Sequence, residues 1–226
     1  MRRKGSILIA VIVCMTVVLL VVGGCGKSKK EAEKPEEPAG TTSAGMTQSS
    51  GAQFGPDGTP VKTLGSFPDG QDGANVQAVI KTDKGDIVLE FYPDVAPVTV
   101  ASFLHLARTG FYNGTSFHRV EPGFVIQGGD PKSKDPNATD VGTGGPGYYL
   151  PAEFSSRKHE TGTLAMARSS SPSSGGSQFY ICLAPQPDLD GQYTVFGKVV
   201  SGMEVVNSIQ RGDVIREVVI MPKVGA

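Results

Sequence analysis

The segment Phe117-His118-Arg119-Val120-Glu121-Pro122-Gly123-Phe124-Val125-Ile126-Gln127-Gly128-Gly129-Asp130 constrains the fold more than any other part of the chain. Aromatic and branched apolar residues flank a Glu-Pro-Gly turn, and the run then stops on two glycines. That pattern predicts a strand, a tight turn, a second strand and a sharp exit. Alternation along the second strand sends Phe124 and Ile126 to one face, Val125 and Gln127 to the other. One arginine and one glutamine are thereby set among apolar neighbours.

The same signals recur on both sides of this hairpin. Val76–Thr82 and Ile87–Tyr92 read as strands joined by the turn Asp83-Lys84-Gly85-Asp86. Pro97 opens a predicted helix that runs to about Arg108 and ends at Gly110, with Val100, Phe103, Leu104 and Ala107 on its buried face. Residues 131–147 read as loop. Their glycines lack the preceding strand, the following helix and the Lys-Thr ending that a phosphate loop needs. Further strands are expected at 163–167, 177–181, 194–200 and 213–221, with a short helix around Val205, Val206 and Ile209 after Gly202. Many short antiparallel strands with two helices fit a sandwich and a barrel equally well by periodicity.

Three segments carry a resemblance that separates the two. The hairpin around Arg119, Gly175-Gly176-Ser177-Gln178-Phe179-Tyr180-Ile181, and Leu189-Asp190-Gly191-Gln192-Tyr193-Thr194-Val195-Phe196-Gly197-Lys198-Val199 match, in order, motifs of the cyclophilin family of peptidyl-prolyl isomerases. The likeness covers roughly two thirds of the chain. It implies an all-β fold, a closed eight-stranded antiparallel β-barrel capped by two α-helices, over residues 75–224, with the active site on the barrel's outer wall. By positional match, Arg119 and Gln127 are the expected catalytic residues, Gln127 also helping to hold Arg119. Phe124, Val125, Tyr180 and Leu189 would form the pocket for a proline ring, with Tyr193 at its edge. Ala167, Arg168 and Gln178 would line the adjoining groove. Cys182 is expected in the core.

Isomerisation needs no nucleophile and no cofactor, and the three histidines, His105, His118 and His159, have no metal-ligand spacing. A planar prolyl amide resists rotation by about 18–20 kcal/mol. In the twisted state its nitrogen regains a lone pair. A guanidinium that donates to that nitrogen interacts chiefly with the twisted state, and so accelerates rotation. Three positions depart from the family's usual pattern. Arg168 stands in place of asparagine, Asp188 in place of tryptophan and Tyr193 in place of histidine. The change at Asp188 implies weaker binding of cyclosporin, and Arg168 adds positive charge beside the groove.

The N-terminus has a separate logic. Arg2, Arg3 and Lys4 precede an apolar run from Ile7 to Val22, and Gly23-Gly24-Cys25 follows. This is the pattern of an export signal over residues 1–24. Val22-Gly23-Gly24-Cys25 resembles a bacterial lipoprotein box, which implies lipidation of Cys25 and a protein held on the extracytoplasmic face of the cell membrane or envelope. An uncleaved anchor is the alternative, since the run is near the lower limit for spanning a bilayer. Residues 25–74 lack a sustained period and read as a flexible tether.

Composition excludes other classes. With 21 basic and 22 acidic residues and a net charge of −1, the chain offers no basic surplus for nucleic acid. Three scattered cysteines make no disulfide framework. The leading expectation is a monomeric, membrane-tethered isomerase acting on proline-containing segments of exported proteins. The competing one is a non-catalytic module, binding proline peptides or serving as a chaperone at the envelope.

Overall fold

The computed structural model describes residues 72–223 and a two-residue ladder in which Gln53–Phe54 pairs with Pro60–Val61. The export signal, Cys25 and most of the tether lie outside the described residues. Among the described residues, no helix is long and apolar enough to cross a membrane.

Eight strands form one antiparallel sheet: β1 (Val76–Thr82), β2 (Gly85–Phe91), β3 (Arg119–Glu121), β4 (Val125–Gly128), β5 (Thr163–Met166), β6 (Phe179–Cys182), β7 (Val195–Ser201) and β8 (Glu217–Pro222). Their spatial order is β8-β1-β2-β7-β5-β6-β4-β3. The first hairpin turns at Asp83-Lys84, where Thr82 faces Gly85. The Thr82 hydroxyl accepts the Lys84 N–H and donates to the Gly85 carbonyl. Register shifts at Val88/Leu89 and Leu164/Ala165 act as bulges that bend the sheet.

Helix α1 (Pro97–Arg108) begins where expected, but its cap was not readable locally. Ala96 offers no side-chain oxygen. Glu153 instead reaches from a distant loop and accepts the Val98 and Thr99 N–H groups at 3.0 and 2.8 Å, satisfying two orphan donors with a favourable negative charge. The helix presses Phe103 into an aromatic cluster, with ring centroids 5.5 Å from Phe91, 5.0 Å from Tyr112 and 5.6 Å from both Phe179 and Phe196. This packing, with Ile80, Ile87, Leu89, Ile126, Leu164 and Ile181, makes the main core. Helix α2 (Met203–Ser208) buries Val205 and Val206, while Ile209 caps its end.

The expected closed barrel is corrected here. The sheet is an open half-barrel, because the outer strands β3 and β8 do not pair with each other. Gly114 and Gly212 sit at φ 80° and 94°, and β3 is only three residues long. Irregular segments bridge part of the gap. Gly114 N–H donates to Ile215 O at 2.8 Å, Ile215 N–H to Thr115 O at 2.7 Å, and Phe117 N–H to Asp213 O at 2.9 Å. The residues expected at the start of the last strand serve in this bridge, so β8 begins only at Glu217.

Candidate active site

The sheet register aligns Arg119 on β3 with Gln127 on β4, Gln127 with Tyr180 on β6, Tyr180 with Ala165 on β5, and Ala165 with Val195 on β7. Residues directly opposite one another share a face. The neighbouring row, Ile126–Ile181–Leu164, points into the main core. The Arg119 row therefore lies on the reverse, outer face. A second apolar cluster covers that face: Val125, Ala165, Tyr180, Cys182 and Val195 are buried, with Phe124, Ala167, Leu189 and Tyr193 packed around them. Phe124 joins this side although strict alternation assigned it to the other. The physical reason is that it belongs to the turn, where its N–H donates to Glu121 O, and the strand begins at Val125.

A cavity of about 100 Å³ opens here, lined by Arg119, Gln127, Phe124, Val125 and Ala167, and by Arg168, Tyr180, Leu189 and Tyr193. Its volume is below the ~150 Å³ of a cavity that holds benzene. Every expected pocket and groove residue lines it except Gln178. Gln178 instead lines an adjoining groove of about 610 Å³, which shares Gln127, Ala167 and Arg168 with the cavity.

Arg119 stands at the rim with its side chain 46% exposed. Its Nε lies 3.7 Å from Glu121, and its guanidinium carbon is 5.5 Å from the Phe124 ring centre. The ion pair is exposed and correspondingly weak. Gln127 does not hold Arg119 in the way expected. Its amide N–H donates to Gln178 Oε1 at 3.0 Å, and Gln178 Nε2 donates in turn to the carbonyls of Gly142 and Gly144 at 3.0 and 2.8 Å. The two glutamines thus form a relay into the glycine-rich loop.

Arg168 is also redirected. Its Nε donates to Gln192 O at 3.0 Å, its Nη1 to Ser169 O and Ser170 O, and its guanidinium lies 4.6 Å from the Tyr193 ring centre. The cation ties two loops together beside the cavity. Asp188 sits in a single 3-10 turn, Pro187–Leu189, with its carbonyl accepting from Gln192 Nε2.

Sequence reasoning missed what stands behind the Tyr180 wall. His159, its side chain 0% exposed, lies with Nε2 3.1 Å from the Tyr180 hydroxyl and Nδ1 3.0 Å from Asp190 Oδ1. Hydrogen bonds from the His159 main chain and ring hold the Asp190 carboxyl down to about 2, with Lys158 adding to the effect. Burial pushes the Tyr180 hydroxyl far above the ordinary phenolic range and the Cys182 thiol up to about 12. Asp190 lay within a quoted motif, but nothing in the linear pattern joined it to a histidine 31 residues away.

The family model for "Cyclophilin type peptidyl-prolyl cis-trans isomerase/CLD" matches residues 77–225. The chain belongs to this family. Among relatives, a peptidyl-prolyl cis-trans isomerase of Synechococcus elongatus is 47% identical over 147 residues, 64% of this chain and 96% of that protein. Peptidyl-prolyl cis-trans isomerase B of Bacillus subtilis is 49% identical over 138 residues, covering 60% and 91%. A crystal structure of a Cryptosporidium parvum cyclophilin type isomerase superposes with a TM-score of 0.58 at 31% identity, covering 65% of this chain and 97% of that one. A second structure of the same protein, solved in the presence of the dipeptide Ala-Pro, gives 0.57 at 32%, covering 64% and 98%. Cyclophilins act on peptide bonds preceding proline, and this chain carries the family's fold and sequence over that whole domain.

Proposed function

We propose that this chain is a prolyl cis–trans isomerase in which Arg119 stabilises the twisted prolyl amide. The observation that carries the reading is the Arg119 guanidinium beside a small cavity of which Phe124, Val125, Tyr180 and Leu189 form the apolar part. Among the described residues, nothing is bonded to its terminal nitrogens. A proline ring seated against Phe124, Val125, Tyr180 and Leu189 brings its amide nitrogen to the rim where Arg119 stands. The guanidinium keeps its charge across the working pH range and donates most strongly once the nitrogen regains its lone pair. Gln127, anchored by Gln178, orients the substrate backbone beside the rotating bond, and Ala167 and Tyr193 bound the cavity.

The substrates we assign are proline-containing segments of exported proteins. In this reading residues 1–24 are an export signal, Cys25 carries lipid, and residues 25–74 tether the catalytic domain of 75–224 outside the membrane. Radiolabelled palmitate entering the wild type but not Cys25→Ser, with loss of the variant from the membrane fraction, is the expected result; equal labelling of both overturns the tether.

The catalytic reading is tested by protease-free exchange spectroscopy on an Ala-Pro peptide. Arg119→Ala is expected to lower kcat/KM at least tenfold, which corresponds to about 1.4 kcal/mol of lost transition-state stabilisation. Unchanged exchange in the folded variant removes Arg119 from the mechanism. Peptide binding without acceleration by the wild type replaces catalysis with a non-catalytic binding module.

A further inference from the structure

His159 lies behind the cavity wall, not in it, yet it contacts both elements that form that wall. Its Nε2 meets the hydroxyl of Tyr180 on β6. Its main-chain N–H donates to Asp190 Oδ1 at 2.8 Å, and its carbonyl accepts from Gln186 N–H at 2.7 Å. Those two bonds clamp the turn at 186–190 that carries Leu189 to the cavity.

The proton positions follow from the partners. Asp190, held near 2 and paired with Lys158 at 3.1 Å, is a carboxylate at neutral pH and can only accept. The proton between it and the ring therefore sits on Nδ1. In the neutral imidazole that leaves Nε2 as an acceptor, and the Tyr180 hydroxyl donates to it. The Tyr193 ring stands edge-on to both, 6.4 Å from His159 and 5.8 Å from Tyr180. Within this arrangement the hydroxyl of Tyr180 is engaged behind the wall, and the ring is left as the apolar surface of the cavity.

The geometry points to His159 as a positioning residue for the substrate pocket, acting through Tyr180 and Leu189 to fix the shape and apolar character of the wall that receives the proline ring. The inference rests on the cavity being the isomerase site. It assigns to this chain a Tyr180–His159–Asp190 relay whose work is in substrate binding, with Arg119 left to act on the twisted amide.

The test uses the full-length chain with Tyr180→Phe, His159→Gln and the double variant, measuring kcat and KM for an Ala-Pro peptide by exchange spectroscopy. Each single change is expected to raise KM about three- to tenfold while kcat stays within about twofold. The double variant is expected to be no worse than the poorer single one, because both remove the same bond. Nitrogen-15 spectra of the wild-type imidazole are expected to show Nδ1 protonated and Nε2 unprotonated, with the Nε2 resonance shifted in Tyr180→Phe. Should His159→Gln fail to fold, Tyr180→Phe alone decides, since it removes one hydroxyl and keeps the ring. A KM within twofold of wild type in Tyr180→Phe, or multiplying KM effects in the double variant, overturns the proposal. Arg119→Ala run in parallel separates the two readings. If it abolishes exchange while Tyr180→Phe binds normally, only the positioning role fails; if it exchanges normally, the site itself is misassigned.

Discussion

Removing the Asp130 carboxylate tests how the loop beside the site is held. Asp130 is fully buried. Its Oδ1 accepts the Lys132 N–H at 2.8 Å, and its Oδ2 accepts the N–H groups of Gly142 and of Gly144, the latter at 3.2 Å. Asp130→Ala leaves those three donors without their acceptor. A hydrogen bond to a charged group contributes about 1.5–3 kcal/mol net. Gly142 is exposed and Gly144 half-buried, so water replaces part of what is lost. We therefore expect a loss of about 2–4 kcal/mol, and a smaller one for Asp130→Asn, whose amide oxygen retains an acceptor. Equilibrium urea unfolding checks it: the midpoint should fall at constant slope. A second readout follows from the relay, because the carbonyls of Gly142 and Gly144 anchor Gln178, which anchors Gln127. KM for a proline peptide should rise in both variants. A change in stability below about 0.5 kcal/mol refutes the buried clasp, and lost stability with unaltered KM refutes the connection to Gln127.

Other consequences can be checked independently. The Asp190 carboxyl titrates near 2 in the folded chain against roughly 3.9 when unfolded, so its contribution is complete above about pH 4 and is lost as pH falls toward 2. Asp190→Asn should flatten the stability curve across that window, and identical slopes in variant and wild type would contradict the pairing. The Cys182 thiol, buried and pushed up to about 12, should resist thiol-specific reagents at pH 8 in a Cys14→Ser, Cys25→Ser background; rapid native-state labelling would show the second cluster to be open. Gly197→Ala directs a Cβ onto the Glu90 carbonyl oxygen across the β2–β7 ladder. Overpacking of this kind costs about 1–3 kcal/mol, measurable by the same unfolding curves, and a neutral substitution would mean the strands separate freely there.

The strands were legible in the sequence to the degree that one face of the sheet meets water. Val76–Thr82 and Gly85–Phe91 were found to within a residue or two because turn residues bracket them and their apolar positions are spaced. Phe179–Cys182 shows no alternation, and all four residues are buried. The main core covers one side and the site cluster the other, so a four-residue run buried on both faces carries no sign of which side faces a ligand. Closure of the sheet was illegible for another reason. The outer strands β3 and β8 do not pair, while the segments just ahead of them, 114–117 and 212–215, meet instead, and strand propensity does not record which of two distant stretches will meet.

The site divides in the same way. Arg119 and Gln127 were singled out by their positions in the family motif, and the hairpin register then sets them opposite one another. What their neighbours do was not readable, because it depends on contacts across loops. Arg168 looks like an added charge in the linear pattern, yet its N–H groups meet the carbonyls of Ser169, Ser170 and Gln192. Tyr180 looks like a polar intrusion into an apolar pocket, yet His159 engages its hydroxyl from behind. In both cases the polar group is bonded within the protein, and the surface left to the cavity is more apolar than the residue names suggest. In the proposed mechanism the Arg119 guanidinium donates to the twisted amide from the edge of this surface. The internal bonds of Tyr180 and Arg168 therefore leave Arg119 at the rim beside Phe124, Val125 and Leu189, the arrangement on which the proposed chemistry rests.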